Sequence, residues 1–204
     1  MKRLTSFLML AALLLPNCGL ANSPDVTVIH IREDHVALEF VGQVNNTPTT
    51  SQQFGYLSNI EGLSPVFSSS TPQNETTALF TFVTNATTDR VISNGSLRIV
   101  NRTGTTTIYL NSASSDFGNP ASFSQGTPIQ VSTYRQQVIV NTSTNAFVTV
   151  HMNTITETEP FTLNGQLYQL GREGRSFRTT YSGQANAPGL APSGWFAGYA
   201  VGAN

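Results

Sequence analysis

Two histidines and two carboxylates stand close together in His30-Ile31-Arg32-Glu33-Asp34-His35, a combination whose imidazole and carboxylate groups could hold a divalent metal. Glu33-Asp34, however, reads as the turn between two β-type runs, VTVIHI and HVALEF, so the rings flank a hairpin end and need not converge. A solvated turn is the better reading, and no metal site is expected. The third histidine, His151, lies on the opposite face of its segment from Val150 and Met152. A triad would need an acid and an activated serine beside it. The chain has no G-x-S-x-G stretch to present one, so His151 reads as a surface or barrel-lining residue. Glu157 and Glu159 lie two residues apart on extended chain and point the same way, about 7 Å apart by strand geometry. That pairing could serve glycoside hydrolysis, but acidic residues in a loop are commonplace. No catalytic residue is assigned and no cofactor is expected.

Cations and aromatics offer more for binding. Arg102 and Arg172 each precede a glycine by two residues in similar stretches. Guanidinium groups grip carboxylates and phosphates through paired N–H bonds, although surface pairing with Glu159 or Glu173 would serve them equally. Trp195 and Tyr199 share one face of GWFAGY, and Phe80 and Phe82 share one face of TALFTF. Such rings can stack on a sugar or line an apolar pocket. The candidate ligand-binding residues are therefore Trp195, Tyr199, Phe80, Phe82, Arg102 and Arg172. The ligand classes they suit are a small apolar molecule, a saccharide or a partner surface.

What must position these residues is read from pattern and composition. Residues 1–21 have the form of a signal peptide: Lys2-Arg3, an apolar run from Phe7 to Leu15, and Gly19-Leu20-Ala21 as a cleavage site. The run is too short to span a bilayer, which takes ~20 residues, so no integral span is expected in the mature chain. Export to the periplasm or the outside follows, with lipid anchoring at Cys18 or an outer-membrane barrel as alternatives. Residues 22–204 form a single domain that holds no cysteine, so disulfides, thiolate metal sites and cysteine nucleophiles are excluded. The same stretch carries eight arginines, no lysine and eleven acidic residues, which is no nucleic-acid footprint.

Alternation dominates the pattern. HVALEFVGQV, TALFTFVT and FVTVHMN each separate two faces at period two. PIQVSTYRQQVIV reads as a long strand with a bulge near Thr133 to Gln136, and FGYLSNIEGL as one short helix or as strand and turn. No longer segment keeps a helical period. The stretch DRVISNGSLRIVNRTGTTTIY returns seventy residues later as EPFTLNGQLYQLGREGRSFRTTY, matching at Asn94-Gly95, Leu97, Arg102 and Gly104 against Asn164-Gly165, Leu167, Arg172 and Gly174. Asn-Gly favours a two-residue hairpin turn, so both stretches read as meanders (80–110 and 150–182) of strand, tight turn, strand, loop, strand.

Nine to eleven short strands with antiparallel connections favour an all-β, single-domain antiparallel β-barrel, with a two-sheet β-sandwich as the alternative. A TALFTF strand followed by hairpins resembles the closed secreted barrels of the calycin and dirigent type, although no motif specific to either is present. The function expected first is non-enzymatic binding. A barrel enzyme of the cyclase or dirigent kind acting on a small apolar substrate, drawing on Tyr109, Tyr181, Glu39 or Arg98, is the second expectation. A structural surface or matrix protein is the third. An enclosed pocket lined by Phe80, Phe82, Trp195 or Tyr199 would separate a binder from a structural protein.

Overall fold

Alternating β-branched, aromatic and hydroxyl residues commit most of the chain to strands. The structure, a computed structural model, describes residues 25–29 and 36–203; the 30–35 histidine segment and the leader with Cys18 lie outside the described residues. Among the described residues eleven strands follow in order. They are β1 (Thr27–Ile29), β2 (Val36–Asn46), β3 (Thr50–Ile60), β4 (Phe80–Asn94), β5 (Leu97–Leu110), β6 (Thr127–Asn141), β7 (Ala146–Thr158), β8 (Phe161–Leu163), β9 (Gln166–Leu170), β10 (Ser176–Ala185) and β11 (Gly194–Ala203). From β2 to β7 each strand pairs antiparallel with the next; β7 pairs with β10, β10 with β11, and β11 returns to β2. Eight strands thus close a barrel and leave no free edge. The two-sheet alternative is not adopted. No helix among the described residues is long and apolar enough to cross a membrane.

The two ends of the barrel differ because their connections differ. At one end the chain turns back at residues 47–49, 95–96, 142–145 and 186–193. At the other end it runs through three long connections. One of these contains the β8–β9 hairpin, which β1 joins in parallel through Thr27↔Tyr168, Val28↔Gln169 and Ile29↔Leu170. This three-stranded sheet closes the far end, with Phe161 edge-on to Phe80 at 5.6 Å and with Ile29, Ile155 and Leu170 buried around them.

The other two long connections are not loose linkers. Residues 61–79 and 111–126 fold as straps over the outer face of β3 and β4. Phe123, in a short 3-10 helix (Pro120–Ser124), packs with Phe117 against Phe54 and Val83 on that face. Phe67 does the same against Tyr56. The Thr81 hydroxyl donates to the Phe123 carbonyl at 2.7 Å, pinning the strap at a fully buried point. Both faces are consequently buried over Phe54 to Leu57 of β3 and Phe80 to Thr84 of β4, where the apolar residues of these strands cluster.

Of its two readings FGYLSNIEGL takes the strand and turn, β3 followed by a turn with Gly62 at φ +77°. Other local expectations need correction. The register irregularities at β6 fall at Ile129, against β5, and between Val131 and Ser132, against β7, not at Thr133 to Gln136. From Ser132 onward the strand alternates regularly, with polar Tyr134 and Gln136 on the inner face. The two similar stretches are also built differently. In the first, the turn is Gly95-Ser96, since Asn94 pairs with Leu97, and only Gly95 has positive φ, the pattern of a type II′ turn. Beyond it β5 runs unbroken through Arg102 and Gly104, so this stretch is one long hairpin without the expected loop. In the second, Asn164 (φ +50°) and Gly165 (φ +79°) form the turn of the β8–β9 hairpin, and Gly174 (φ +78°) lies in a true loop before β10.

Candidate functional site

Strand register stacks the barrel's inner residues in rows across β5, β6, β7 and β10. Each row follows from directly opposed pairs whose side chains share the inner face. Nearest the short turns lie Arg98, Val140, Phe147 and Gly183, followed by Val100, Val138, Thr149 and Tyr181. Next come Arg102, Gln136, His151 and Thr179, and then Gly104, Tyr134, Asn153 and Phe177. This half of the wall is rich in polar side chains. Strands β2, β3, β4 and β11 supply the apolar half, including Phe40, Phe82 and Phe196, which pack with Tyr181 through edge-on and tilted contacts at 4.5 to 6.4 Å.

Between these halves the interior is a cup. At the short-turn end it opens as a cavity of about 550 Å³ whose apolar wall is Val44, Val100, Val138, Val140 and Phe147. Arg102, Gln136, Thr149, Tyr181 and Gln53 also face it. That volume falls in the range of roughly 300–1,000 Å³ common for small-molecule sites. Deeper in the barrel, Tyr181 and Gln53 also border a second cavity of about 50 Å³, which reaches Phe82, His151, Asn153 and Phe177. Below it the aromatic and aliphatic plug and the three-stranded cap fill the barrel.

Tyr181 is the hub of the polar layer. Its hydroxyl accepts from Gln136 Nε2 at 2.7 Å and donates to Gln53 Oε1 at 2.9 Å, while His151 Nε2 lies 3.2 Å away. A phenol has one hydrogen and two lone pairs, so with Gln136 donating and Gln53 accepting, the hydroxyl is completed by accepting a hydrogen bond from His151 in its Nε2–H tautomer. Burial drives the His151 pKa down to about 3, and the nearby Arg102 charge adds to the fall, so the ring is neutral. Burial likewise pushes the phenols of Tyr134 and Tyr181 well above their usual range. Every one of these neighbours is therefore uncharged at neutral pH.

Arg102 is the exception. Its side chain is 8% exposed, and burial lowers its pKa from the usual value, yet a guanidinium stays protonated throughout the accessible range. Nη2 donates to Asn46 Oδ1 at 3.0 Å and Nε makes a long contact with Thr88 Oγ1 at 3.4 Å. Nη1 has no hydrogen-bond partner among the described residues, and no carboxylate lines either cavity.

The expected site residues are distributed unevenly. Phe82 lines the inner cavity, Phe80 is buried at the base against Phe161, and Arg102 faces the cup. Arg172 is exposed in the loop after β9, so the two arginines are not brought together. Trp195 and Tyr199 lie on the outer surface, each 45% exposed, and Trp195 packs against Phe117 of a strap at 4.9 Å. Tyr109 also faces outward beneath that strap, and Glu39 is exposed opposite Tyr199. Arg98 reaches the mouth of the cup. Gln53, Tyr134, Gln136 and Thr149 were not legible as site residues, because inward-facing polar residues carry no periodic signal of their own. No protein-family model matches the chain, and comparisons with curated proteins and with solved structures give no match either.

Proposed function

We propose that the protein is an exported binding barrel that takes a small, mainly apolar molecule into the cup. The observation that carries this reading is the open cavity of about 550 Å³ with a valine and phenylalanine wall and a few convergent polar groups at its floor. A protein with a purely structural role needs no such cavity in its core. The leader of Lys2-Arg3, an apolar run and Gly19-Leu20-Ala21 supports export. Native mass spectrometry of protein purified from its own host tests both parts. The expected spectrum shows a chain beginning at Asn22 with a small molecule bound, released on activation. A chain that retains its leader, or one that never carries a small molecule and gains none from apolar extracts, would count against the reading.

One observation favours a second reading, a barrel enzyme acting on a small apolar substrate. The hydrogen-bonded pair of His151 and Tyr181 borders the inner cavity, where two neutral polar groups could orient a substrate. Incubating the host's apolar extract with the wild type and with Tyr181→Phe would separate the readings. A product that forms only with wild type supports the enzyme, and unchanged extract with both supports the binder.

A further inference from the structure

Most of the cup's surface is apolar, and the layer at its floor is neutral apart from one guanidinium. Removing a charged side chain from water is strongly unfavourable unless a counter-charge or a full set of hydrogen bonds replaces the solvent. Arg102 has neither. Two of its nitrogens contact Asn46 and Thr88, the third has no partner among the described residues, and the acidic side chains of this region stand outside the cavity. Gln136, directly opposite Arg102, lines the same cavity, but its Nε2 is already engaged with the Tyr181 hydroxyl, which leaves Arg102 as the buried cationic donor facing the cup.

Resting on the binding reading above, we propose that the ligand of the cup is an amphiphilic anion whose carboxylate head is held by Arg102. A guanidinium offers planar N–H donors that match a carboxylate, and Nη1, with no hydrogen bond among the described residues, leaves donors for such a head. Arg102 is the buried cation of the cup, with Arg98 exposed at its mouth, and one buried charge at the floor suits a carboxylate better than a phosphate dianion. The tail lies against Val44, Val100, Val138, Val140 and Phe147, whose burial supplies the non-directional part of the affinity. The chemical class is thus a monocarboxylic acid with a short aliphatic or aromatic body.

The test compares decanoate with decanol on the full mature protein by isothermal titration at neutral pH. Hydrogen bonds to charged groups are the stronger kind, so decanoate binds wild type about tenfold or more tighter than decanol. In Arg102→Gln that preference disappears while decanol binding is retained. Equal affinity of wild type for the two probes overturns the anion assignment and leaves the cup as a binding site. Binding of neither overturns both the assignment and the binding reading. A preference that survives in Arg102→Gln moves the head away from Arg102 and overturns the assignment to it. Should that variant fail to fold, wild type decides alone: the carboxyl carbon of labelled decanoate, followed by NMR, titrates below its free value when bound. A bound carboxyl that titrates at or above the free value overturns the proposal.

Discussion

The imidazole of His151 lies flat on the ring of Tyr134, with centroids 4.6 Å apart and planes 7° from parallel, and its Nε2 meets the hydroxyl of Tyr181 at 3.2 Å. One aromatic neighbour therefore fixes the plane of the ring and the other fixes its proton. Both contacts follow from register. Tyr134 and Gln136 are successive inner residues of β6, His151 stands opposite Gln136 on β7, and Tyr181 is one inner position along β10 from the residue opposite His151. A row of polar side chains inside a barrel is costly unless its members satisfy one another. Here the satisfaction runs through a single phenol.

Tyr181→Phe should be the most informative change to this layer. It keeps the ring that packs on Phe196 at 4.5 Å and removes only the oxygen shared by Gln53, Gln136 and His151. Leaving buried polar groups without partners costs about 1–3 kcal/mol. Urea denaturation should show a loss of that size with an unchanged m-value. A loss below about 0.5 kcal/mol, the ordinary scatter for a neutral site, would mean that water enters the layer freely and that the network is not structural.

His151 gives the fold a pH dependence with a definite sign. Its pKa falls from the ordinary 6.5 to about 3 in the folded barrel, so between those values the unfolded chain binds the additional proton. Stability therefore rises with pH across that window and is lost as pH falls below about 6.5, by about 1.4 kcal/mol per pH unit. Above that window the residue contributes no slope. His151→Gln keeps a donor towards Tyr181 and removes the titration. The difference between the stability–pH curves of wild type and variant should be flat above neutrality and should close, or reverse, towards pH 4. Parallel curves over the whole range would show that the native ring takes up its proton as readily as the unfolded one.

Much of the barrel was readable because its strands alternate, and alternation survives whatever lines the inside. The missing information is which face points inward. In FVTVHMN the period separates Phe147, Thr149 and His151 from Val148, Val150 and Met152, and apolarity alone does not show that the first set is inside. The same ambiguity placed the β6 bulge wrongly, since Tyr134 and Gln136 look like a slip in phase if inner residues must be apolar. Trp195 and Tyr199 show the converse. They are large and aromatic yet face out, one sheltered by a strap whose docking depends on Phe117 and Phe123, residues with no periodic relation to β11. Arg102 stood out in the sequence only through its likeness to Arg172. Its significance comes from three-dimensional neighbours, Asn46, Thr88 and Tyr134, that no local spacing brings together.

Gly104 and Gly174 occupy equivalent places in the two similar stretches, but they are glycines for different reasons, and substitution should expose this. A Cβ on Gly104 would lie 2.2 Å from the Asn85 carbonyl oxygen and 2.9 Å from the Ala86 Cα, both backbone atoms of neighbouring β4. Gly174 has φ +78° and open space around it. At Gly104 the cost is steric and grows with side-chain size, so Gly104→Ala should lose about 1–3 kcal/mol or more, and Gly104→Asn more again. At Gly174 the cost is conformational, about 1–2 kcal/mol for alanine, and asparagine adopts that backbone region more readily. Asparagine should therefore be the worse residue at 104 and the better one at 174. Denaturation midpoints of the four variants measure this directly. The same rank order at both positions would show that the two glycines serve one shared turn geometry after all.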